Sequence, residues 1–316
     1  MPTQNEGMNE NSVLKQVNTG ETKKQKVNKY EWKITFDQTQ GLRTLVEVVG
    51  NILTRINLRI MYDKKKETHF LCIDSIDPQH VCMIQARLIC EKTDVTEDVN
   101  FCVDSAILHT CLKNMAAHYS LDLVKYYNCS DIKLDAYETL SNSHCTRYTL
   151  NTLVDDSETM QIKNMNYDTT VEIDLGLLRS MIKLAISLKS QKIELSVHMP
   201  VEEDPNILRS RFTITSFGDA KQEQSFNSST TREPGETNVI RAVTDSTGPD
   251  SKNQEFECIY RDNFSAQYLN YFLKSMEKQI ITMKLSQGQP LVLHYPLGAD
   301  KSYICFVLAP KVDDED

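Results

Sequence analysis

A stripe of apolar residues at helical spacing opens the patterned part of the chain. Between residues 40 and 56 the apolar side chains recur every three or four positions: Leu42, Leu45, Val46, Val49, Ile52, Leu53 and Ile56. This spacing is that of one face of an α-helix. Polar residues such as Arg43 and Glu47 fall on the other face. The pattern therefore predicts an amphipathic helix with one buried side.

Shorter apolar runs follow this helix and are typical of strands. In the first half they predict strands over 57–62, 69–74, 80–90, 99–103, 131–137 and 145–151, with a second helix over 113–127. In the second half they predict helices over 175–189 and 264–276, and strands over 168–174, 191–198, 210–216, 254–261, 279–285, 290–295 and 302–308.

The same order of elements thus occurs twice, which predicts two α+β domains with helices on one face of antiparallel sheets. We expect the first domain over 31–151 and the second over 168–312, joined by a connector over 152–167 that has no clear period. Residues 1–30 are polar and predict a disordered extension, and 313–316 form an acidic tail. Residues 219–253 are rich in Ser, Thr, Gly, Asp and Glu and predict a long flexible insertion.

The net charge of −9 would by itself argue against nucleic-acid binding. Binding depends, however, on where the cations lie and not on their sum. Every predicted helix offers at least one cation opposite its apolar stripe: Arg43, Lys125, Arg179, Lys183 and Lys274. A solvated face explains any single helix, whereas four such helices side by side would form a surface that attracts phosphates.

Several classes of protein are disfavoured by the sequence. No apolar run approaches the roughly 20 residues of a membrane helix, so we expect a soluble protein. The nine cysteines are odd in number and lack a Cys-x-x-Cys pair, which is typical of a reducing compartment and disfavours a metal site. A phosphate-binding loop, a zinc-protease motif and a nucleophile elbow are all missing. The sequence therefore predicts a protein that is not an enzyme and needs no cofactor.

Four short stretches carry a resemblance to a known family. They read Ser-Ile-Asp-Pro-Gln-His-Val at 75–81, Tyr-Leu-Asn-Tyr-Phe-Leu-Lys at 268–274, Pro-Leu-Val-Leu-His-Tyr at 290–295 and Leu-Ala-Pro-Lys-Val at 308–312. Their order and spacing, from about Lys33 to Val312, resemble the eukaryotic-type DNA sliding clamps, the proliferating cell nuclear antigen (PCNA) family. The chain is similar to a divergent, viral or protist, member.

The resemblance implies two similar clamp domains per chain, with antiparallel sheets outside and four helices on the inner face. Three chains would close head to tail into a homotrimeric ring around double-stranded DNA. The strands around Tyr148 and Phe226 would form the subunit interface. The implied function is that of a processivity factor in DNA replication and repair, with DNA polymerase, other clamp-binding proteins and a clamp loader as partners. The implied location is the nucleus, or a cytoplasmic replication site for a virus, with no membrane association.

The resemblance also implies a groove for short client peptides beneath the connector. Its lining would comprise Ile76, His80, Val81, Met83, Met160, Ile162, Pro290, Val307, Ala309, Pro310 and Lys311. Taken without the resemblance, His80 is better explained as a histidine at a strand end that is satisfied by its own turn.

An alternative function stays open because the basic lining is thin. The family usually carries Lys or Arg at the positions of Thr44, Gly50, Asp122, Ser180 and Gln267. A subunit of a heteromeric ring, or a protein-binding scaffold that does not encircle DNA, would also fit.

Overall fold

The computed structural model describes residues 30–141, 143–154, 165–201, 208–230, 238–242, 256–276, 279–297 and 301–311. Met160 and Ile162 of the predicted groove lie outside these residues.

The elements of the first half are β1 (Trp32–Phe36), α1 (Thr39–Gly50), β2 (Arg55–Asp63), β3 (Thr68–Ile76), β4 (Cys82–Cys90), β5 (Lys92–Asp94), β6 (Val99–Asp104), α2 (Ser105–Lys113), β7 (Ser120–Lys125), β8 (Asp131–Tyr137) and β9 (His144–Asn151). Those of the second half are β10 (Thr169–Asp174), α3 (Leu175–Ser187), β11 (Lys192–Pro200), β12 (Leu208–Phe217), β13 (Lys221–Thr230), β14 (Asn238–Ala242), β15 (Phe256–Ser265), α4 (Ala266–Leu273), β16 (Ile280–Leu285), β17 (Leu291–Pro296) and β18 (Tyr303–Leu308).

The strands form three sheets. A five-stranded sheet has the order β5-β1-β7-β8-β9, and a four-stranded sheet has the order β13-β12-β11-β15. The third sheet has nine strands in the order β14-β10-β16-β17-β18-β4-β3-β2-β6. Nearly all neighbours are antiparallel, the exception among the described pairs being β10 with β14.

The nine-stranded sheet joins the two halves of the chain. Strand β18 pairs with β4 from Tyr303 opposite Arg87 to Leu308 opposite Cys82. A side-chain contact supports the same junction, because the Tyr268 hydroxyl on α4 donates to Asp77 Oδ2 at 2.6 Å. Main-chain pairing and a buried carboxylate therefore hold the second half on the first.

The helices pack in pairs on the sheets. Helix α1 lies against α2, α3 lies against α4, and α1 also contacts α4. Three helices begin at residues whose side chains accept a backbone N–H, namely Asp104 from Ile107, Asp174 from Leu177, and Ser265 from Tyr268. Such N-caps each stabilise a helix by about 1 kcal/mol. In α1 the predicted stripe is buried at Leu42, Leu45, Val46 and Val49, and each large apolar side chain contributes about 2 kcal/mol.

The predicted second helix over 113–127 is wrong. The helix is α2, which begins after Asp104 and ends at Lys113, and residues 120–125 form β7. Residues 121–124 are buried on both faces of β7, which pairs with β1 on one side and β8 on the other. Lys125 therefore ends a strand and not a helix.

The predicted flexible insertion over 219–253 is also wrong in part. Strand β13 pairs with β12 over their full lengths, and β14 pairs with β10. The sequence of β13 is polar except for Phe226, which is 3% exposed, so its pattern gave little sign of a strand. Similarly, α1 ends at Gly50, and Ile56 belongs to β2. Strands β1 and β5 were not predicted.

In the described ranges, no helix has both the length and the apolar character needed to cross a membrane.

Candidate functional site

The four helices with their capping residues carry a net positive charge, whereas the whole chain is negatively charged. Including the capping residues, they hold five cations, Arg43, Lys113, Arg179, Lys183 and Lys274, and three carboxylates, Glu47, Asp104 and Asp174. The whole chain has a net charge of −9. The carboxylates of Asp104 and Asp174 precede their helices and accept backbone N–H groups. The helical surface is thus basic on an acidic molecule, an arrangement that favours phosphate groups.

Three of the predicted cations lie on the helical surface with solvent access. Arg43 is half-buried on α1, and Lys183 and Lys274 are exposed on α3 and at the C-cap of α4. Lys113 is the cation that the sequence interpretation missed, and it is exposed at the last residue of α2. The Asp104-Ser105 N-cap is the sequence signal that could have located α2 and with it Lys113.

Arg179 has a different environment from the other helix cations. Its Nε donates to the carbonyl of Leu273 at 2.8 Å, and its Nη2 donates to the carbonyl of Met276. Leu273 is the last residue of α4 and Met276 follows the helix, so both carbonyls lie where a helix has no further N–H donors of its own. Arg179 therefore holds the end of α4, and much of its hydrogen-bonding capacity is used inside the subunit.

Acidic and apolar groups dilute the basic surface. Glu47 on α1 lies 4.0 Å from Nε2 of His109 on α2. Ile107, Leu184 and Ile186 are exposed apolar residues of the helices. The helical face can therefore attract a polyanion but has few groups that would grip one tightly.

The opposite side of the nine-stranded sheet carries a row of apolar side chains where the client groove was predicted. Across neighbouring strands Ile76 lies opposite Met83, Met83 opposite Val307, and Val307 opposite Val292. Directly paired residues share one face of a sheet, so these four side chains form one row. We call this row, with Met165 and Tyr167 that pack against it, the outer groove. It contains the predicted residues Ile76, Met83 and Val307.

Tyr167 and Cys305 complete the outer groove and were not predicted. The Tyr167 hydroxyl donates to the carbonyl of Pro290 at 3.1 Å, and burial raises its pKa to about 12. Burial likewise raises the pKa of the Cys305 thiol to about 11. Tyr167 is therefore a hydrogen-bond donor, and Cys305 a small apolar side chain, at neutral pH. Their positions depend on strand register, which the sequence pattern does not specify.

A tight turn forms one end of the groove. Asp77 is 1% exposed, and its carboxylate accepts the backbone N–H groups of Gln79, Val81 and Cys82. The same carboxylate accepts the Tyr268 hydroxyl, and this hydrogen bond adds to burial in raising the tyrosine pKa. His80 has a φ of +58° in this turn and its side chain is exposed. The turn thus presents His80 at the end of the row of apolar residues, whereas Val81 packs against the main hydrophobic core.

The segment after β18 runs along the same turn. The N–H of Ala309 donates to the carbonyl of Val81 at 2.9 Å, and the N–H of Lys311 donates to the carbonyl of Asn263 at 2.7 Å. Ala309, Pro310 and Pro290 are half-buried and Lys311 is exposed. All the predicted groove residues that the structure describes are therefore close to one another in the fold, at one end of β4, β17 and β18.

The two strands of the predicted subunit interface are terminal strands of their sheets. Strand β9, with Tyr148, ends the five-stranded sheet, and β13, with Phe226, ends the four-stranded sheet. Phe226 is buried and stacks on Phe212 at 6.3 Å between ring centroids, whereas Tyr148 is half-buried. An interface here would use the backbone of β13 and the exposed part of Tyr148.

Comparison with known proteins identifies the fold. No protein-family model matches the sequence. Among solved structures, proliferating cell nuclear antigen from Entamoeba histolytica is similar with a TM-score of 0.67 and 14% identity, over 90% of this chain and 100% of that chain. PCNA from Thermococcus kodakaraensis is similar with a TM-score of 0.66 and 15% identity, over 89% of this chain and 100% of that chain. The predicted clamp fold, with antiparallel sheets and four helices, is confirmed.

Proposed function

We propose that this chain is a DNA sliding clamp. Three copies close into a ring, the helical face lines the hole, and double-stranded DNA passes through without sequence recognition. The observation that carries the proposal is the separation of charge in a clamp fold, with five cations against three carboxylates on the helices and their caps, in a chain of net charge −9. Because a closed ring is retained by topology, this modest basic surface is sufficient.

The outer groove gives the ring its second activity, which is to tether other proteins. A short helical turn with aliphatic and aromatic anchors would pack against the half-buried Ile76 and Met83, beside the buried Val292 and Val307. DNA polymerase and other replication and repair proteins would thereby be held at high local concentration on the template. The clamp contributes no chemical step, and its effect is on the residence time of its clients.

Topological retention tests the encirclement directly. The protein is threaded onto duplex DNA fixed to beads at one end, and the free end is then blocked by biotin and streptavidin. A ring is expected to survive a wash in 0.5 M salt and to be released when a restriction enzyme cuts the DNA. Phosphate contacts alone are screened at that salt concentration. Removal of the protein by the wash would reject encirclement.

A titration with a labelled peptide tests the groove separately. We expect Pro310→Ala to weaken a peptide with one aliphatic and two aromatic anchors by about fivefold, which corresponds to roughly 1 kcal/mol of binding free energy. Pro296→Ala, at the far end of β17, is the matched control and should leave the affinity unchanged. Equal affinities for the parent and both variants would reject the groove assignment.

A second candidate function follows from the composition of the helical face. Lys125 lies on a strand and Arg179 is bonded to α4, which leaves fewer cations for DNA than the sequence suggested. A heteromeric ring, in which another subunit supplies the missing charge, or a scaffold that does not encircle DNA, fits this observation. Retention on blocked DNA only after a second subunit is added would favour the heteromeric ring.

A further inference from the structure

A second surface depression lies on the same sheet face as the outer groove. It has a volume of about 360 Å³ and lies between the β2–β3 turn and strand β18. Its floor is formed by Met61, Phe70, Cys72 and Tyr303, and its rim by Tyr62, Asp63, Lys64, Lys65, Lys66 and Arg87. We call it the basic cleft.

Strand register places the cleft in line with the groove. Along β4 the residues on the outer face are Met83, Gln85 and Arg87, and these lie opposite Val307, Cys305 and Tyr303 of β18. Met83 belongs to the groove and Arg87 to the cleft. Four residues of strand separate them, which is about 13 Å. A peptide held in the groove can therefore reach the cleft with four to six extended residues.

The charges between and around the two depressions have different roles. Asp74, which is buried, accepts Arg59, Arg87 and Gln85, so one carboxylate is shared by the two arginines within the sheet face. In the turn, Asp63 Oδ1 accepts the backbone N–H groups of Lys65 and Lys66. The side chains of Lys64, Lys65 and Lys66 are exposed. The exposed positive charge at the cleft is thus carried by the lysine ammonium groups beside an apolar floor, and the shared arginine pair adds to it within the sheet face.

The apolar floor of the basic cleft favours a ligand with apolar side chains over a small anion. Lys66 Nζ lies 5.1 Å from the centroid of the Phe70 ring, so its charge faces the floor as well as the solvent. Tyr62 is 48% exposed and lies beside His69 at 4.9 Å between ring centroids. An extended segment that alternates carboxylates with apolar side chains matches this pattern of lysines and apolar surface.

We propose that the basic cleft binds an acidic segment that flanks the anchor turn of a client peptide, and this inference rests on the proposed function. The segment would be part of the client and not of this chain. The acidic residues 313–316 follow Lys311 within five positions, at the end of the sheet where Ala309 bonds Val81. The cleft is lined by Arg87, which is six strand residues or about 20 Å along β4 from Val81, whereas five residues span at most about 18 Å.

A two-by-two titration tests the proposal. One labelled peptide carries the anchor turn and a six-residue extension of alternating Glu and Leu, and the other replaces each Glu by Ser. Each is measured against the unaltered chain and against Lys64→Ser/Lys65→Ser. We expect the substitutions to weaken the acidic peptide by about fivefold, as for two exposed charge pairs, and to leave the neutral peptide unchanged. The difference should disappear in 0.5 M salt.

A control variant and a second measurement separate failure of the basic cleft from failure of the proposed function. Lys92→Ser/Lys189→Ser removes the same charge from exposed sites outside the cleft and should have no effect. If the acidic and neutral peptides bind equally to both proteins, the basic cleft is rejected while the groove stands. If neither peptide binds, the proposed function fails, and hydrogen exchange over residues 61–72 with the Glu-Leu segment alone then decides whether the cleft binds it.

A nucleic acid is the competing occupant, since lysines beside aromatic rings also bind single strands. A labelled 20-residue oligothymidine is therefore titrated under the same conditions. Oligothymidine binding that Lys64→Ser/Lys65→Ser abolishes, together with unchanged peptide affinities, would overturn the proposal.

Discussion

At the scale of single residues, Gly218 marks the closest backbone contact among the described glycines. A Cβ atom built on Gly218 would lie 2.0 Å from the carbonyl oxygen of Leu188 and 2.8 Å from the backbone nitrogen of Ser190. The next residue donates its N–H to the same Leu188 carbonyl at 2.7 Å. The β12–β13 turn can therefore pack on the end of α3 only because position 218 lacks a side chain.

We expect Gly218→Ala to lower the free energy of unfolding by about 2–3 kcal/mol, since backbone must move to admit the methyl group. The control is Gly50→Ala at the end of α1, where the new Cβ would lie 3.6 Å from Ser105. That change should be neutral or stabilising by about 0.5 kcal/mol, because alanine is the better helix former. Urea unfolding of both variants measures the difference, and a Gly218→Ala protein as stable as the parent would contradict the packing described.

Three half-buried histidines make the fold sensitive to mild acid. Burial lowers the pKa of His69, His198 and His294 below the usual 6.5, with nearby arginines contributing for His198 and Lys284 for His294. As the pH falls through 6.5, these histidines therefore bind protons more readily in the unfolded chain than in the folded chain. Stability contributed by the neutral rings is fully present above pH 6.5 and is lost below it.

The corresponding test replaces all three histidines by glutamine. The parent should lose stability between pH 7 and pH 5 more steeply than the triple variant, as measured by urea midpoints across that range. Parallel curves for the two proteins would show that these rings do not control the acid response.

At the scale of elements, α3 carries two cations with separate tasks. Arg179 bonds two carbonyls at the end of α4, whereas Lys183, one turn later, is exposed on the helical face. The two residues were grouped together in the sequence interpretation because their spacing places them on one helix face. Only the tertiary position of the α4 carboxyl end distinguishes them.

We expect Arg179→Met to cost about 1–3 kcal/mol of stability, because it removes charged hydrogen bonds and leaves two carbonyls without donors. Lys183→Met should leave stability within about 0.5 kcal/mol. If the Lys183 ammonium neutralises one DNA phosphate, the same variant should make the salt dependence of DNA binding shallower by a slope of about 0.9. Thermal unfolding and a salt titration of DNA binding, performed on both variants, separate these effects. The assignment fails if Lys183→Met destabilises the protein as much as Arg179→Met does.

Most elements were predictable because the spacing of their apolar residues along the sequence matches the spacing of the side chains that are buried in the fold. Helix α3 and strands such as β8 occur close to where the pattern places them. Helix α2 was misplaced because the capping signal at Asp104 is a single residue, whereas the alanine-containing stretch after Lys113 favours a helix over several positions. Strand β13 was missed because an edge strand with one buried side chain has little hydrophobic period.

The parts of the candidate site that lie in sequence motifs were predictable. The parts that depend on strand register were not. The turn at Asp77 and the segment around Pro310 are recognisable in the sequence. Cys305 and Tyr167 enter the groove only because β17, β18 and β4 pair in one particular register. The basic cleft was invisible for the same reason, since Lys64 and Tyr303 are brought together by strand order alone.

At the scale of the whole molecule, the proposed ring requires that terminal strands of two subunits meet. We expect Tyr148→Ala on β9 to reduce the trimer to monomers at micromolar concentration, because it removes the largest half-buried side chain on that strand. Tyr62→Ala, which removes an exposed ring from β2, is the control and should keep the trimer. Light scattering coupled to gel filtration gives the mass directly, and a parent protein that is itself monomeric would refute the ring.

The pairing of β18 with β4 has a consequence for synthesis in the cell. Strand β4 is complete at residue 90, yet its neighbour begins only at Tyr303. While the ribosome makes the 212 residues between them, β4 presents an edge of unpaired backbone N–H and C=O groups to other nascent chains. A truncated chain released before β18 is made would therefore keep an unpaired strand edge that promotes aggregation. We therefore expect the growing chain to need chaperones until β18 has been made.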